Sequence, residues 1–454
     1  GCPTMAVIAD KCPKLNVTVI DIDEEKIKKW NSEDLSELPI YEPGLEAVIK
    51  RCRNKNLKFS TELEKNISLA DIVFISVNTP TKKSGVGAGK ASDLKYVEAC
   101  ARKVAHFSKG HTIVVEKSTL PVRTAEVIKK ILEASKDNPE CKSTFDVLSN
   151  PEFLSEGSAI KDLEFPDRVL IGGENSKAIE TLSMIYSNWI NKEKILHTNI
   201  WSSELAKLTA NAFLAQRVSS INSIGAICEA TGADVREVAR AIGSDSRIGS
   251  KFLDSGPGFG GSCFKKDILN LVYLARNFGL DDVADFWEGV IHLNIWHQHR
   301  ISKLVVEKLF GTLSGKRIAI LGFSFKANTN DTRESAAILI CKDLLDEGAH
   351  ILIHDPKVDP VQIGKELGEQ QKASHNKKEL NSSWHSVKDL YEGFVEVDAA
   401  IILTEWEEYS KIDWDKAAML MRRPAWVFDA RSIIDHKKIS KTNLNFWRIG
   451  DGTL

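Results

Sequence analysis

The stretch Leu15-Asn-Val-Thr-Val-Ile-Asp-Ile22 decides the fold of the first part of the chain. It is apolar and rich in β-branched residues, it follows a helix-like opening segment, and a charged helix is expected from Glu24 to Trp30. Such a run is typical of a parallel strand that is buried on both faces. The chain therefore opens with the helix, strand and helix rhythm of an α/β domain.

The same rhythm continues for about 200 residues. Helical patterns at Ser92–Phe107 and Val122–Ala134 separate further strand candidates, which are Ile72–Val77, Thr112–Glu116, Phe145–Leu148 and Val169–Ile171. Alternation of strands and helices favours a doubly wound sheet.

The pattern changes twice more along the chain. From Ser202 to about Phe310 it is mainly helical. Strand candidates then return, at Lys316–Gly322, Ile351–Asp355, Val397–Leu403 and Trp426–Asp429, with a polar loop expected at Gln370–Ser383. The sequence predicts an α/β fold class with two Rossmann-like domains, residues 1–200 and 311–454, joined by a helical central domain with a long helix, residues 201–310.

Composition argues against nucleic-acid-binding, membrane-spanning, disulfide-rich and metal-binding classes of protein. The 454 residues are 43% hydrophobic and 27% charged with a net charge of −2, so neither nucleic acid nor an anionic membrane is an expected partner. No apolar run approaches the roughly 20 residues of a spanning helix. Eight cysteines without paired spacing fit reduced thiols in the cytosol. The 11 histidines form no metal-ligand pattern, and we expect no metal site.

Asp21 suggests a nucleotide. An acidic residue at the end of the second strand of a Rossmann unit hydrogen-bonds the adenosine ribose and favours NAD over NADP, about 20 residues after the glycine fingerprint. Gly1 lies 20 residues before Asp21, so it is a candidate for the last glycine of that fingerprint. On this interpretation the chain is a fragment that lacks the first strand and two glycines. A strand-end turn residue is the alternative explanation of Asp21, and the spacing favours the nucleotide.

The glycine-rich stretch Gly256-Pro-Gly-Phe-Gly-Gly-Ser-Cys263 precedes a predicted helix, Phe264 to Phe278. The glycines permit close approach of the backbone to a ligand. A helix N-terminus favours the thiolate of Cys263, and Asp267 follows at i+4 on the same face. A capped helix with a small buried cysteine is the alternative.

Other polar residues follow predicted strands or line predicted helices. Lys207 and Asn211 form an i,i+4 polar stripe on an otherwise apolar helix, where a buried lysine must be paired or functional. Glu152 and Glu156 would share a face if their segment is helical, although a solvated face is the usual reason for such a pair. Ligands of open α/β sheets bind beyond the carboxyl ends of strands. The residues at such ends are Lys117, Thr119, Lys326, Arg333 and Arg431.

Taken together, these stretches resemble the UDP-glucose 6-dehydrogenase family, in particular its animal members. The motifs that carry the resemblance span the chain: Tyr41-Glu-Pro-Gly-Leu45, Ser76-Val-Asn-Thr-Pro-Thr81, Glu116-Lys-Ser-Thr119, Asn150-Pro-Glu-Phe-Leu154, Trp201-Ser-Ser-Glu-Leu205, Lys207 with Asn211, Gly258-Phe-Gly-Gly-Ser-Cys-Phe264 and Asp331-Thr-Arg-Glu-Ser335.

The resemblance implies oxidation of UDP-glucose to UDP-glucuronate by two NAD⁺. Cys263 would form a thiohemiacetal and then a thioester, Lys207 and Asn211 would stabilise the oxyanion, and Asp267 would be a base or water activator. Which of Lys207 and Asp267 takes the first proton stays open. Thr119 and Glu152 would help to hold the hydrolytic water.

The resemblance also implies binding residues and an assembly. NAD contacts are expected from Gly1, Asp21, Lys26, Thr119, Glu156 and Arg333. Nucleotide-sugar contacts are expected from Phe153, Leu154, Lys207, Asn211, Phe252, Gly260, Phe325, Lys326 and Arg431. Arg247 would reach into the site of a neighbouring subunit, so a homo-oligomer is expected, a dimer at least and a hexamer by the family pattern.

Two features depart from the family pattern. On the fragment interpretation the first strand and two glycines are missing, and the loop lysine of animal members is replaced by Asp254. A dehydrogenase for another nucleotide sugar and a non-catalytic nucleotide-sugar-binding protein are therefore the alternatives.

Overall fold

The computed structural model describes residues 1–118, 121–134, 143–368 and 383–453. The chain divides into two compact units. Unit 1 comprises residues 1–210 and 269–284, and unit 2 comprises residues 211–268 and 285–454. The expected three-domain boundaries stay a prediction. The Gln370–Ser383 loop lies almost entirely outside the described residues.

Unit 1 is an α/β unit built on seven strands. Its strands are β1 Val17–Ile20, β2 Leu57–Ser60, β3 Ile72–Ile75, β4 His111–Glu116, β5 Thr144–Ser149, β6 Val169–Gly173 and β7 Ile195–Thr198. Its helices are α1 Cys2–Lys11, α2 Glu24–Asn31, α3 Leu45–Cys52, α4 Leu63–Ser68, α5 Lys95–Phe107, α6 Thr124–Ala134, α7 Ala159–Glu164 and α8 Ser176–Tyr186.

The strands of unit 1 form two sheets. β1 and β2 make a parallel pair, while the other sheet has the order β3-β4-β5-β6-β7. Its pairs are parallel except β5 with β6, which is antiparallel. The sequence pattern made no prediction of the direction of β6 against β5. Strand direction depends on long-range pairing, which an apolar run of residues does not encode.

Four helices follow: α9 Ile200–Thr231, α10 Val235–Gly243, α11 Phe264–Asn277 and α12 Asp281–Lys308. α9 has 32 residues and is the predicted long helix, about 48 Å in length. The division between the units passes through α9, α11 and α12.

Unit 2 ends in a six-stranded parallel sheet. Its strands are β8 Arg317–Leu321, β9 His350–His354, β10 Ser383–Ser386, β11 Ala399–Ile402, β12 Trp426–Asp429 and β13 Asn445–Arg448. The helices are α13 Ala336–Asp346, α14 Pro360–Leu367, α15 Trp414–Leu420 and α16 His436–Ile439.

The strand order β10-β9-β8-β11-β12-β13 is that of a Rossmann sheet. Successive strands are added on one side of β8 and then, from β11 onwards, on its other side, so the switch point lies between β8 and β11. Ile318 and Ile320 of β8 belong to one apolar cluster, whereas Ala319 and Leu321 belong to another. Alternate residues thus bury both faces of the sheet, as predicted for a doubly wound domain.

Candidate active site

The glycine-rich stretch is an irregular loop that ends at Cys263, directly before α11. Gly258 and Gly261 have φ angles of +122° and +83°, which L side chains rarely adopt. Cys263 is half-buried, and its carbonyl accepts the Asp267 N–H at 2.8 Å. The thiol therefore lies at the N-terminal end of a helix.

Three polar side chains predicted for the site are buried on α9 and α11. Asp267 has no exposed surface, and Asn211 and Lys207 are 5% and 7% exposed. The Asn211 Nδ2 atom donates to the Asp267 Oδ2 atom at 2.6 Å. A buried carboxylate is costly unless it is hydrogen-bonded, so this bond satisfies part of its demand. The structure brings together the two side chains that sequence analysis placed on different helices.

The loop after β8 meets the glycine-rich loop within unit 2. A Cβ atom on Gly260 would lie 2.5 Å from the Glu334 carbonyl oxygen and 2.9 Å from the Phe325 Cβ atom. The Gly261 N–H donates to the Arg333 carbonyl at 2.8 Å. Only a glycine fits at position 260 without displacing backbone, so the predicted contact residues Gly260 and Phe325 do lie together.

Arg431 connects the carboxyl ends of three strands of unit 2. It follows β12, and its guanidinium donates to the Leu403 carbonyl after β11 at 2.8 Å and to the Phe325 carbonyl after β8 at 3.0 Å. The Glu405 Oε2 atom lies 3.1 Å from its Nε atom. Lys326 is half-buried in the β8 loop. Two cations thus lie at the switch point of the sheet, where α/β sheets bind nucleotides.

A second polar cluster lies in unit 1 around Lys117, the residue after β4. The buried Lys117 Nζ atom is 3.3 Å from a Glu152 carboxylate oxygen and 3.1 Å from the Asn150 Oδ1 atom. Thr4 also donates a hydrogen bond to Glu152. Burial raises the pKa of Glu152, but the charge of Lys117 and the Thr4 bond outweigh it and hold the pKa below its usual range. Glu152 is therefore held ionised.

The segment that carries Glu152 and Glu156 is not a helix. Residues 151–155 are irregular, and α7 begins only at Ala159. The condition for two carboxylates on one helical face is therefore not met, and Glu152 forms an ion pair with Lys117 instead. Lys117 was seen in the sequence only as a strand-end residue, since its partners lie more than 30 positions away.

The predicted contact Phe153 lies close to two cations of unit 1. Its ring centroid is 4.0 Å from the Arg168 guanidinium and 5.4 Å from the Lys207 ammonium. Leu154 packs partly buried against the apolar cluster of α1 and α3. Arg168 was missed in the sequence, where an isolated arginine before β6 carries no distinguishing signal.

The residues present in unit 1 fit a dinucleotide. The Asp21 carboxylate follows β1, accepts the Asp23 N–H at 3.1 Å and lies 3.3 Å from the Lys26 Nζ atom. Gly1 precedes α1, and a Cβ atom there would lie 2.3 Å from the Ser76 Oγ atom. An acidic strand end and a glycine in close contact with a neighbouring strand end are features of nucleotide-binding units.

The remaining expected contacts are placed as follows. Glu156 is half-buried in unit 1, whereas Thr119 lies outside the described residues. The Arg333 side chain pairs with Asp331 in unit 2. Arg247 is 87% exposed and pairs with Asp245 of its own chain. Phe252 is 42% exposed and has a φ angle of +62°.

Two other features have no candidate within the part of the chain that the structure describes. No group of three or more His, Cys, Asp or Glu side chains is arranged to hold a metal ion. Among the described helices, none has the length and apolar character that crossing a membrane requires.

Comparison with family models gives three consecutive matches along the chain. Residues 1–190 match the NAD binding domain of the UDP-glucose/GDP-mannose dehydrogenase family, residues 201–296 match its central domain, and residues 319–436 match its UDP binding domain.

Similar proteins and structures cover nearly the entire chain. UDP-glucose 6-dehydrogenase of Drosophila melanogaster is 53% identical over 99% of this chain and 94% of that protein. UDP-glucose 6-dehydrogenase 1 of Glycine max is 50% identical over 99% and 95%. The structure of a UDP-glucose dehydrogenase from Pyrobaculum islandicum superposes with a TM-score of 0.83 at 29% identity, covering 99% of this chain and 95% of that one.

Proposed function

The chain belongs to the UDP-glucose/GDP-mannose dehydrogenase family, and we propose that it is an NAD-dependent dehydrogenase that oxidises UDP-glucose twice, to UDP-glucuronate. One observation supports a four-electron oxidation. The half-buried thiol of Cys263 lies at the start of α11, one helical turn before the buried Asp267–Asn211 pair. An oxidation that stopped at the aldehyde would need no nucleophile.

The first oxidation converts the primary alcohol of the glucose ring to an aldehyde. NAD, when bound, accepts a hydride in each of the two oxidations. The alcohol proton passes to a base of this chain, either Lys207 or Asp267. The amide of Asn211 and the ammonium of Lys207 stabilise negative charge on the sugar oxygen.

The second oxidation uses Cys263. Its sulfur adds to the aldehyde carbon, and the carbonyl oxygen takes a proton, which gives a thiohemiacetal. Loss of a hydride and of the hydroxyl proton gives a thioester. Water, activated by Asp267 and held with help from Glu152 and Thr119, then breaks the C–S bond and leaves a carboxylate and a free thiol. In sum, alcohol, water and two NAD⁺ give carboxylate, two NADH and three protons.

The other contacts follow the fold. We assign NAD contacts to Gly1, Asp21, Lys26, Glu156 and Arg333. Among them, Asp21 is the strand-end carboxylate, which selects the unphosphorylated ribose of NAD. Lys326 and Arg431 neutralise the diphosphate, while Gly260 and Phe325 contact the nucleotide sugar. Cytosolic localisation is supported by the seven described cysteines, all of which are free.

The protein is proposed to be a homo-oligomer through the central helices. Large apolar side chains of α9 and α12 in unit 2 are exposed, among them Phe213 at 55%, Ile227 at 57% and Phe286 at 58%. Exposed apolar patches of this kind mark protein interfaces. Together with the exposed Arg247, they support at least a dimer, with the hexamer of the family as the larger assembly. Light scattering of the wild type and of Ile227→Glu tests this, and an unchanged monomeric mass for both would contradict it.

The function is tested by counting NADH. We expect two NADH for each UDP-glucose in the wild type and at most one for Cys263→Ser, with the aldehyde trapped by hydroxylamine. Cys100→Ser, which changes another half-buried thiol, is the matched control and should keep both oxidations. Two-step turnover by Cys263→Ser would refute the thiol mechanism. NADH formation with GDP-mannose but not with UDP-glucose would refute the substrate.

A further inference from the structure

The loop that presents Cys263 is held by side chains of α9 and α12 that no step of the proposed reaction uses. Asn222 of α9 accepts the Gly256 N–H at 3.0 Å, and His297 of α12 lies 2.9 Å from the Gly256 carbonyl through its Nε2 atom. Both side chains are buried. The beginning of the loop is thereby anchored to both helices.

Asn294 of α12 makes the most complete of these contacts. Its Oδ1 atom accepts the Phe259 N–H at 2.9 Å, and its Nδ2 atom donates to the Phe259 carbonyl at 3.1 Å. Asn294 is only 6% exposed. One side-chain amide therefore satisfies both backbone groups of a single loop residue, as a neighbouring strand would.

The glycine at position 258 permits this approach. A Cβ atom there would lie 2.6 Å from the Asn294 Oδ1 atom and 3.1 Å from the Gln298 Nε2 atom. Gly258 also has a φ angle of +122°. The absence of a side chain at this position therefore serves the Asn294 contact as well as the turn of the loop.

Phe259 connects the Asn294 hydrogen bonds to the segment that contains the Cys263 thiol. Its ring is buried and contacts the ring of Phe264, the first residue of α11, edge to face at 5.9 Å. The two rings flank the segment that contains Cys263, and the Asp267 N–H bond to the Cys263 carbonyl continues the helix beyond it. Contacts that hold Phe259 in place therefore also restrict the backbone position of Cys263.

We propose that Asn294 is a positioning residue for Cys263, which holds the loop so that the thiol is oriented for attack on the aldehyde. The inference rests on the proposed function, since it assigns Asn294 to the second oxidation. A reacting atom displaced by about 1 Å costs on the order of 100-fold in rate. Loss of the two hydrogen bonds between Asn294 and Phe259 should therefore slow the thiol step more than the first hydride step.

The test compares the two oxidations in single turnovers. Asn294→Leu keeps the approximate volume but removes both hydrogen bonds, whereas Asn294→Asp keeps the acceptor and loses the donor. We expect the second oxidation to slow by about 10- to 100-fold in Asn294→Leu and less in Asn294→Asp, while the first changes little. Ser219→Ala is the matched control, because it removes a buried α9–α12 bond to the Val290 carbonyl without touching the loop.

A second readout does not depend on turnover. The rate at which iodoacetamide alkylates Cys263, followed by peptide mass spectrometry, should change in Asn294→Leu and stay at the wild-type value in Ser219→Ala. Equal slowing of both oxidations, or no change in either the step ratio or the alkylation rate, would overturn the role of Asn294. If Asn294→Leu does not fold, Asn294→Asp decides by the same measurements. Failure of the proposed function itself would show separately, as two-step turnover by Cys263→Ser.

Discussion

At the scale of one residue, Asp267 is completely buried and accepts a short hydrogen bond from Asn211, and this pair is central to the proposed chemistry. Removal of one partner of a buried charged hydrogen bond leaves the other partner unsatisfied, which costs more than the bond itself contributes. The two residues should therefore not be independent in their effects.

Asp267→Asn should lower kcat by about 100- to 10,000-fold, because the variant loses the proposed base. Asn211→Ala should lower it less and should add little to Asp267→Asn in the double variant, since residues of one network are not additive. Steady-state kinetics with UDP-glucose measure both effects. Additive losses in the double variant would contradict the coupling.

His297 makes folding sensitive to acid. Burial, followed by the positive charge of Arg300, lowers its pKa to about 4. The unfolded chain takes up this proton near pH 6.5, so it binds more protons than the folded protein between these values. Stability should fall by about 3 kcal/mol as the pH drops from 6.5 to 4 through this residue.

The midpoint of urea unfolding, measured across this pH range, tests the role of His297. His297→Gln should lose much of the acid sensitivity. His299→Gln, which changes a half-exposed histidine of the same helix, should retain the wild-type slope because His297 is still present. An unchanged slope in His297→Gln would show that other groups cause the acid sensitivity.

At the scale of elements, β4, α6 and α9 are joined through two buried carboxyl groups. Glu204 of α9 accepts the N–H groups of Arg123 and Ala125, both at 2.7 Å, at the start of α6. Glu116 ends β4, and burial, with the charge of Glu204 next, raises its pKa well above the usual range. Its Oε2 atom has no hydrogen-bond partner in the described part of the chain. Burial and the nearby charge of Glu204 thus favour the neutral, protonated form of Glu116 in the folded protein.

Glu116→Gln should stabilise the protein at pH 7 to 8. The folded wild type holds a proton that the unfolded chain releases above about pH 4.5, so its stability falls as the pH rises, whereas the amide is neutral in both states. We expect the free energy of unfolding to rise by at least about 1 kcal/mol. The thermal midpoint of the variant should exceed that of the wild type, and this difference should be larger at pH 8 than at pH 5. Glu126→Gln, a change at the surface of α6, should show no such gain. A lower midpoint for Glu116→Gln at pH 8 would contradict the protonated state.

The contact between the glycine-rich loop and the β8 loop is also a property of two elements. Gly260→Ala should abolish most UDP-glucose turnover and destabilise the protein by about 1–3 kcal/mol, because the Cβ atom meets the Glu334 carbonyl and backbone must move. Gly289→Ala in α12 is the control, since a Cβ atom there meets no described atom within 4 Å. It should be neutral or stabilising, because alanine favours helix. Wild-type turnover in Gly260→Ala would refute the close contact.

At the scale of the whole molecule, the carboxylate proposed to recognise the NAD ribose and the cations proposed to neutralise the UDP diphosphate belong to different compact units. Asp21 and Lys26 belong to unit 1, whereas Lys326 and Arg431 belong to unit 2. Arg431→Ala should weaken UDP binding by about 10- to 100-fold, as expected for a lost charged contact, and leave the NADH dissociation constant unchanged. Asp21→Ala should do the reverse. Calorimetry with UDP and with NADH measures both, and loss of NADH binding in Arg431→Ala would contradict this assignment.

The sequence allowed prediction of elements whose pattern is local and strong. β8, β9 and β12 lie within a residue or two of their predicted positions, and α11 begins at the predicted residue. The strands that were missed, β2, β7, β10 and β13, have four residues each. They contain polar or exposed residues, such as Leu196 in β7 at 45% exposure, so their apolar pattern is too short to identify them.

By itself, the sequence determined the α/β class, the long central helix, and the thiol at a helix start with its carboxylate one turn later. These features depend on hydrophobic periodicity and on spacings of three to five residues, which backbone geometry translates directly into structure. Only the tertiary structure decided that Asn211 bonds Asp267, that Lys117 keeps Glu152 ionised, that β6 runs antiparallel to β5, and that Asn294 holds the loop before Cys263. These contacts join residues 23 to 56 positions apart. Such pairings depend on how whole elements pack, and no local pattern specifies them.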